Sequence, residues 1–260
     1  GIVPAMTPDL RPGLGRHLAS ILNNSGWARK AIRLGKHLRM KTTNHLDTRR
    51  GSIKFPAYIP VTTFGNKYPM DNLLRPYLPR LASAVMVSYA YAQEMKEAPA
   101  VPVLIDSGGF ASLFKNASVV DDDGQGILIL AKDDGEEDVL DPLTVLEFQE
   151  AKADVAFTLD FPIPPGMKGA EAAYRQRLTI ANALWAIENR RRQDMPLYAA
   201  IQGWDAASAR RCAEAYADFE FDGVAIGGLV PRLRDMPLVM DIVSTVRQEI
   251  PDRPIHVFGV

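Results

Sequence analysis

One cysteine, Cys212, stands in 260 residues. That excludes a disulfide framework within the chain and suits a reducing compartment, so the expected location is cytoplasmic. Histidine is equally sparse: His17, His37, His45 and His256 are scattered, and no Cys/His spacing of a zinc site occurs, so no metal ligand is expected in this chain. No apolar run approaches the roughly 18 residues of a membrane span, and Gly1-Ile2-Val3-Pro4 does not begin a signal peptide, so no membrane partner is expected. Neither sign of charge dominates, the net being -1, but the balance is uneven along the chain. Residues 1–50 hold ten Lys/Arg against Asp9 and Asp47, a balance of +8, leaving 20 basic and 29 acidic residues, or -9, for the rest. The segment bearing Arg29, Lys30, Arg33, Lys36, Arg39 and Lys41 reads either as a phosphate-neutralising patch or as a solvated helix face.

Hydrophobic residues make up 47% of the chain, enough for a full core, and α/β barrels commonly form one domain at this length. Residues 1–14, with Pro4, Pro8 and Pro12, read as loop, and Arg16 to about Met40 as two short basic helices. A lead-in hairpin arm and a first strand over Ala57 to Val61 are expected next, followed by a helix over Met70 to Leu81. Buried strands are expected at Ala84 to Ser88 and Val103 to Asp106. Ser118 to Leu140 breaks the rhythm as a β-hairpin insertion with acidic turns. Asp141-Pro142 has the N-cap and N1 chemistry of a helix start. Strands over Asp154 to Leu159, Leu197 to Ile201, Gly223 to Ile226 and Ile255 to Phe258 then alternate with helices over Glu171 to Gln193, Ala206 to Phe219 and Met236 to Ile250. The fold class is α/β, a TIM (β/α)8-type barrel lacking its eighth strand in this chain. The opening is expected to be filled by the N-terminal segment, by another chain, or by sequence beyond a fragment.

In such barrels functional groups lie at strand C-termini. Val103-Leu104-Ile105 delivers Asp106 into the turn Ser107-Gly108-Gly109-Phe110. Alone, that octapeptide reads equally as an active-site acid or as a turn whose Asp caps a helix starting near Phe110. Asp160, Gln202 and the amides of Gly227, Gly228 and Leu229 end later strands. Gathered in one ring, these groups suit a guanine-like base. Carboxylates accept from its ring N–H and amine, Gln202 or the glycine-turn amides donate to its carbonyl, and Phe110, Tyr89 and Phe258 offer stacking faces.

The blocks IDSGGF (Ile105 to Phe110), FTLDFP (Phe157 to Pro162), AIQGW (Ala200 to Trp204), GVAIGGL (Gly223 to Leu229) and VFGV (Val257 to Val260) resemble, in this order, the tRNA-guanine transglycosylases. The resemblance covers residues 48–260, leaving 1–47 as a basic N-terminal extension. It implies exchange of a guanine in tRNA for a 7-deazaguanine by double displacement at C1′. It implies Asp106 as general acid/base with Ser107 beside it. Asp160 would read the base, Gln202 with Gly228 and Leu229 would hold its carbonyl, and Phe110 with Phe258 would sandwich it. Zinc is expected for the family, but this chain has no ligand motif for it. The nucleophilic Asp of the eighth strand has no counterpart either. Ala111, Phe161-Pro162, Trp204 and Ser88-Tyr89-Ala90 also depart from the family pattern. The alternatives are a branch acting on DNA, where a duplex nucleotide must be extruded, and a non-catalytic nucleic-acid-binding subunit. The expected partners are tRNA or DNA, guanine or a 7-deazaguanine, and a second copy or a catalytic paralogue.

Overall fold

Short apolar runs set the frame. Val85–Val87 (β4), Val103–Ile105 (β5), Val155–Phe157 (β9), Leu197–Ile201 (β10) and Gly223–Ile226 (β11) are buried at every position. Strands covered on both faces belong to parallel sheets. With Val61–Thr62 (β3) and Ile255–Val257 (β12), they form one seven-stranded sheet in the order β12-β11-β10-β9-β5-β4-β3, parallel throughout. The sheet is a curled half-barrel, a TIM-type barrel short of a strand. These are the features of a computed structural model that describes residues 44–64, 68 and 70–259. Residues 1–43 of the basic N-terminal extension, with its two expected helices, lie outside the described residues.

Alternate side chains divide two cores, as the pleat requires. Val103, Ile105, Leu197, Ala199, Ile201, Val224 and Ile226 pack outward under the helices. Leu104, Val155, Phe157, Tyr198 and Ala225 point inward. The outer layer is Pro142–Lys152 (α4), Gly169–Asn189 (α5), Ala206–Tyr216 (α6) and Met236–Glu249 (α7). Asp141 caps α4 by accepting from Thr144 N at 2.8 Å, with Pro142 at its start, and Asp205 caps α6 with a reciprocal Ser208 bond.

A hairpin, His45–Thr48 (β1) and Gly51–Lys54 (β2), closes the N-terminal end by burying Ile53 against Leu104, Val155 and Tyr198. Its turn supplies Arg49 and Arg50, whose guanidiniums each donate to the fully buried Asp154 at 2.8 Å, while Val103 N donates to the same carboxylate at 2.8 Å. Asp154→Ala therefore strands two cations and a backbone N–H, and should lower stability by about 3 kcal/mol. Urea unfolding checks this: a loss under about 1 kcal/mol, the ordinary value of an exposed ion pair, would show that the pairs are not holding the hairpin.

Proline accounts for two differences from expectation. The first barrel strand lies at Val61–Thr62 instead of Ala57 to Val61, because Pro56 and Pro60 have no N–H for a ladder; Pro60 contributes only its carbonyl, to Met86 N at 2.9 Å. The helix expected over Met70 to Leu81 is split into Met70–Leu74 (α1), a 3-10 turn at Arg75–Tyr77 and Leu78–Leu81 (α2), at Pro76 and Pro79. A short helix, Tyr89–Glu94 (α3), follows β4. The insertion has three strands instead of two: Ala117–Asp122 (β6), Gln125–Ala131 (β7) and Glu137–Leu140 (β8). Glu137 and Asp138, expected in a turn, lie within β8 and pair with β7. Asn182 of α5 anchors this sheet, accepting from Gly126 N at 2.8 Å and donating to Gly126 O at 3.0 Å and Leu159 O at 3.3 Å.

Candidate active site

The C-terminal strand ends bring Asp106, Ser107, Phe110, Asp160, Gln202, Gly228 and Phe258 around one cavity of about 250 Å³. Asp106 leaves β5 with Oδ1 accepting from Tyr89 N at 2.8 Å and Gly108 N at 3.0 Å. Burial pushes its carboxyl up to about 6 against those two donors, and the nearby Asp160 adds to the rise. Gly108 takes a left-handed conformation, φ 74°, and opens a 3-10 turn over Gly109–Leu113 in place of the helix expected at Phe110. Gly109 is pressed against the neighbouring strand end: a Cβ there would lie 1.8 Å from Asp160 O, so only glycine lets the two acid-bearing loops touch.

Asp160 lies at the centre. Its Oδ1 accepts from Ser107 Oγ at 2.6 Å and its Oδ2 from Gln202 Nε2 at 2.6 Å. Burial raises its carboxyl, with the two donors opposing, and no cation approaches it among the described residues. Gln202 is held in turn, its Oε1 accepting from Ile163 N at 3.4 Å and its backbone carbonyl from Gln176 Nε2. Phe258 packs tilted on Phe157 at 5.1 Å, whereas Phe110 is 67% exposed at the outer lip.

Three expected contributors are placed differently. Tyr89 turns away to pack edge-on against Phe148 at 4.9 Å and offers the site only its backbone N–H. The Gly227 amide donates to Ile201 O at 3.0 Å, continuing the sheet ladder, so it is not available to a ligand. Leu229 does not line the cavity; its side chain is fully buried in the helix–sheet core.

Sequence reasoning missed the residues that brace the ring. Gln149 of α4, 1% exposed, directs Nε2 at Ile105 O, Asp106 O and Phe157 O, at 3.1, 3.0 and 2.9 Å, tying together the two acid-bearing strand ends. Arg175 of α5 spans Ser112 and Pro162 O, joining the walls on either side of Phe110. The available signal was a polar residue on a buried helix face. Gln149→Leu leaves these carbonyls without a donor and should destabilise the fold by about 2–4 kcal/mol. It should also weaken ligand binding, read by calorimetry with guanine; unchanged stability and affinity together would remove Gln149 from the frame.

Among the described residues no three His, Cys, Asp or Glu side chains group to hold a metal. Cys212 is buried beside Tyr216 and the Ala200 carbonyl, and burial pushes its thiol up to about 11, away from the thiolate that ligation needs.

Fold and site together define an α/β-barrel protein with two buried carboxylates and a carboxamide at its strand C-termini, where barrel enzymes carry their chemistry. A family model described as Queuine tRNA-ribosyltransferase matches residues 39–260, and the chain belongs to that family. It is 28% identical over 234 residues to a queuine tRNA-ribosyltransferase of Thermosynechococcus vestitus, covering 82% of this chain and 60% of that protein. It is 28% identical over 202 residues to one of Thermosipho africanus, covering 69% and 53%. It is also 29% identical over 229 residues to the tRNA-guanine(15) transglycosylase of Methanothermobacter thermautotrophicus, covering 84% and 32%. The chain thus spans between about a third and three fifths of these relatives' length. Among the described residues no helix is long and apolar enough to cross a membrane.

Proposed function

We propose that this chain exchanges guanine in tRNA for a 7-deazaguanine, and that Asp106, Asp160 and Gln202 do the work at the base. The observation that carries this reading is the buried Asp160 carboxylate, held between Ser107 and Gln202 in the cavity that Asp106 also lines. A guanine entering there donates its ring N–H and amine to Asp160, while Gln202 and the Gly228 turn meet its carbonyl. Phe110 closes from the outer lip and Phe258 faces it. Asp106, with a carboxyl near 6, moves a proton to the departing base and takes one from the incoming base. The displacement at C1′ needs a nucleophilic carboxylate; the described cavity offers only Asp106 and Asp160, both already given roles at the base, so no nucleophile is assigned.

The test is incorporation of radiolabelled guanine into tRNA and, in parallel, into duplex DNA. Label in tRNA alone is the expected result, and label in DNA alone would transfer the reading to a DNA-acting branch. A second reading is a base-binding subunit acting with a catalytic paralogue. Guanine bound by calorimetry with no label in either polymer would support it. Absence of guanine binding would overturn both. A cytoplasmic setting is part of the proposal, in keeping with a reduced, buried Cys212.

A further inference from the structure

A second cavity, about 350 Å³, adjoins the base site, with Pro231 as a wall common to both. Its rim carries Lys168, Arg232, Arg234 and Trp204. Arg232 is only 6% exposed, yet among the described residues no carboxylate lies within ion-pairing distance of it; the one described hydrogen bond of its side chain goes from Nη1 to Gly228 O. Its Nε and Nη2 have no described partner, so the guanidinium keeps donors for an anion in the cavity. Lys168 and Arg234 likewise have no described ion pair, and the one carboxylate of the cavity, Asp235, is engaged as the cap of α7 through Leu238 N at 3.2 Å. Trp204 has Arg211 over its ring at 5.4 Å and also lines the cavity. Cations beside an aromatic face are the elements of a single-strand nucleic-acid subsite.

We infer that this cavity seats a phosphodiester of the polynucleotide next to the exchanged guanine, with the phosphate on Arg232, Lys168 and Arg234 and a neighbouring base against Trp204. The inference rests on the base-exchange reading and adds to it a location for the strand. Arg232 touches both sites, since the Gly228 carbonyl it holds belongs to the turn that lines the base cavity.

The experiment measures binding of a fluorescent single-stranded RNA oligonucleotide containing guanine, and separately of free guanine and guanosine 5′-monophosphate, to the full chain across salt concentrations. Lys168→Glu with Arg234→Glu should weaken the oligonucleotide about tenfold or more and make its salt dependence shallower by about 0.7 to 1.4 in log–log slope, about 0.7 per lost phosphate contact. Trp204→Gly should weaken it at least about fivefold with the slope unchanged. Free guanine should bind all variants like the wild type, which also reports that they fold. Unchanged oligonucleotide affinity and slope in the charge-reversal protein, or no oligonucleotide binding by the wild type at low salt, would overturn the inference while guanine binding still upholds the base site. The monophosphate binding as tightly as the oligonucleotide, with equal losses in the variants, would overturn it in favour of a free nucleotide. Loss of guanine binding in the wild type would instead defeat the base-exchange reading.

Discussion

Asp160→Asn should weaken guanine binding about 10- to 150-fold, the equivalent of the roughly 1.5–3 kcal/mol assigned to a hydrogen bond with a charged partner. The substitution is nearly isosteric, and Ser107 and Gln202 can both reorient toward an amide, so the fold should survive. What disappears is the pair of acceptor oxygens. An amide presents one acceptor and one donor, and the donor opposes the base's own N–H groups. Because burial raises the Asp160 carboxyl, wild-type affinity should also fall as pH is lowered and that group protonates, whereas the Asn protein should lack that dependence. Calorimetry across pH checks both. Equal affinity in the two proteins at neutral pH would show that the base is read elsewhere.

Asp106→Asn should act on turnover and, in the opposite direction, on stability. If Asp106 carries the proton, base exchange should fall by about 10²–10⁴ with a much smaller change in guanine affinity. The folded-state carboxyl, near 6, lies above its ordinary value of 3.8. The folded protein therefore binds the proton more tightly than the unfolded chain does. That preference stabilises fully below pH 4 and is lost as pH rises through 6. Asparagine accepts the same Tyr89 and Gly108 N–H bonds without a charge to desolvate. The variant should thus be more stable than wild type at pH 7.5, by up to about 3 kcal/mol, with the gap closing near pH 4. Urea midpoints at the two pH values decide this. A variant less stable than wild type at both would mean that the ionised carboxylate is favoured in its surroundings.

The sheet was legible because parallel strands write themselves as short, continuous apolar runs: Leu197–Ile201 and Gly223–Ile226 lie where the sequence places them. Boundaries failed where backbone chemistry overrode pattern, at Pro56 and Pro60, at Pro76 and Pro79, and in the acidic stretch whose Glu137 and Asp138 found partners in β7. Asp106, Asp160 and Gln202 could be grouped because strand ends of one barrel converge. The aim of Tyr89 could not be read, since the start of α3 turns its ring to Phe148, nor could the use of the Gly227 amide, which depends on how far the β11 ladder runs. Gln149, Arg175 and Arg232 were invisible for a shared reason: a polar side chain in a helix or turn reads as solvated until the carbonyl it holds is known.

The Asp160 carboxylate has two donors of the chain's own, Ser107 and Gln202. Each Asp160 oxygen accepts one of these bonds and keeps a second lone pair, and Asp106 Oδ2 has no described donor, so an entering N–H either shares an oxygen with a resident donor or takes its place. A molecule with a single donor engages one Asp160 oxygen, whereas a planar ring with two adjacent N–H groups engages both and frees the hydroxyl and carboxamide to turn toward its own acceptors. Discrimination of this kind is a threshold on donor number more than a matter of shape. It predicts that purines bearing one N–H at that edge will compete poorly even when they fit.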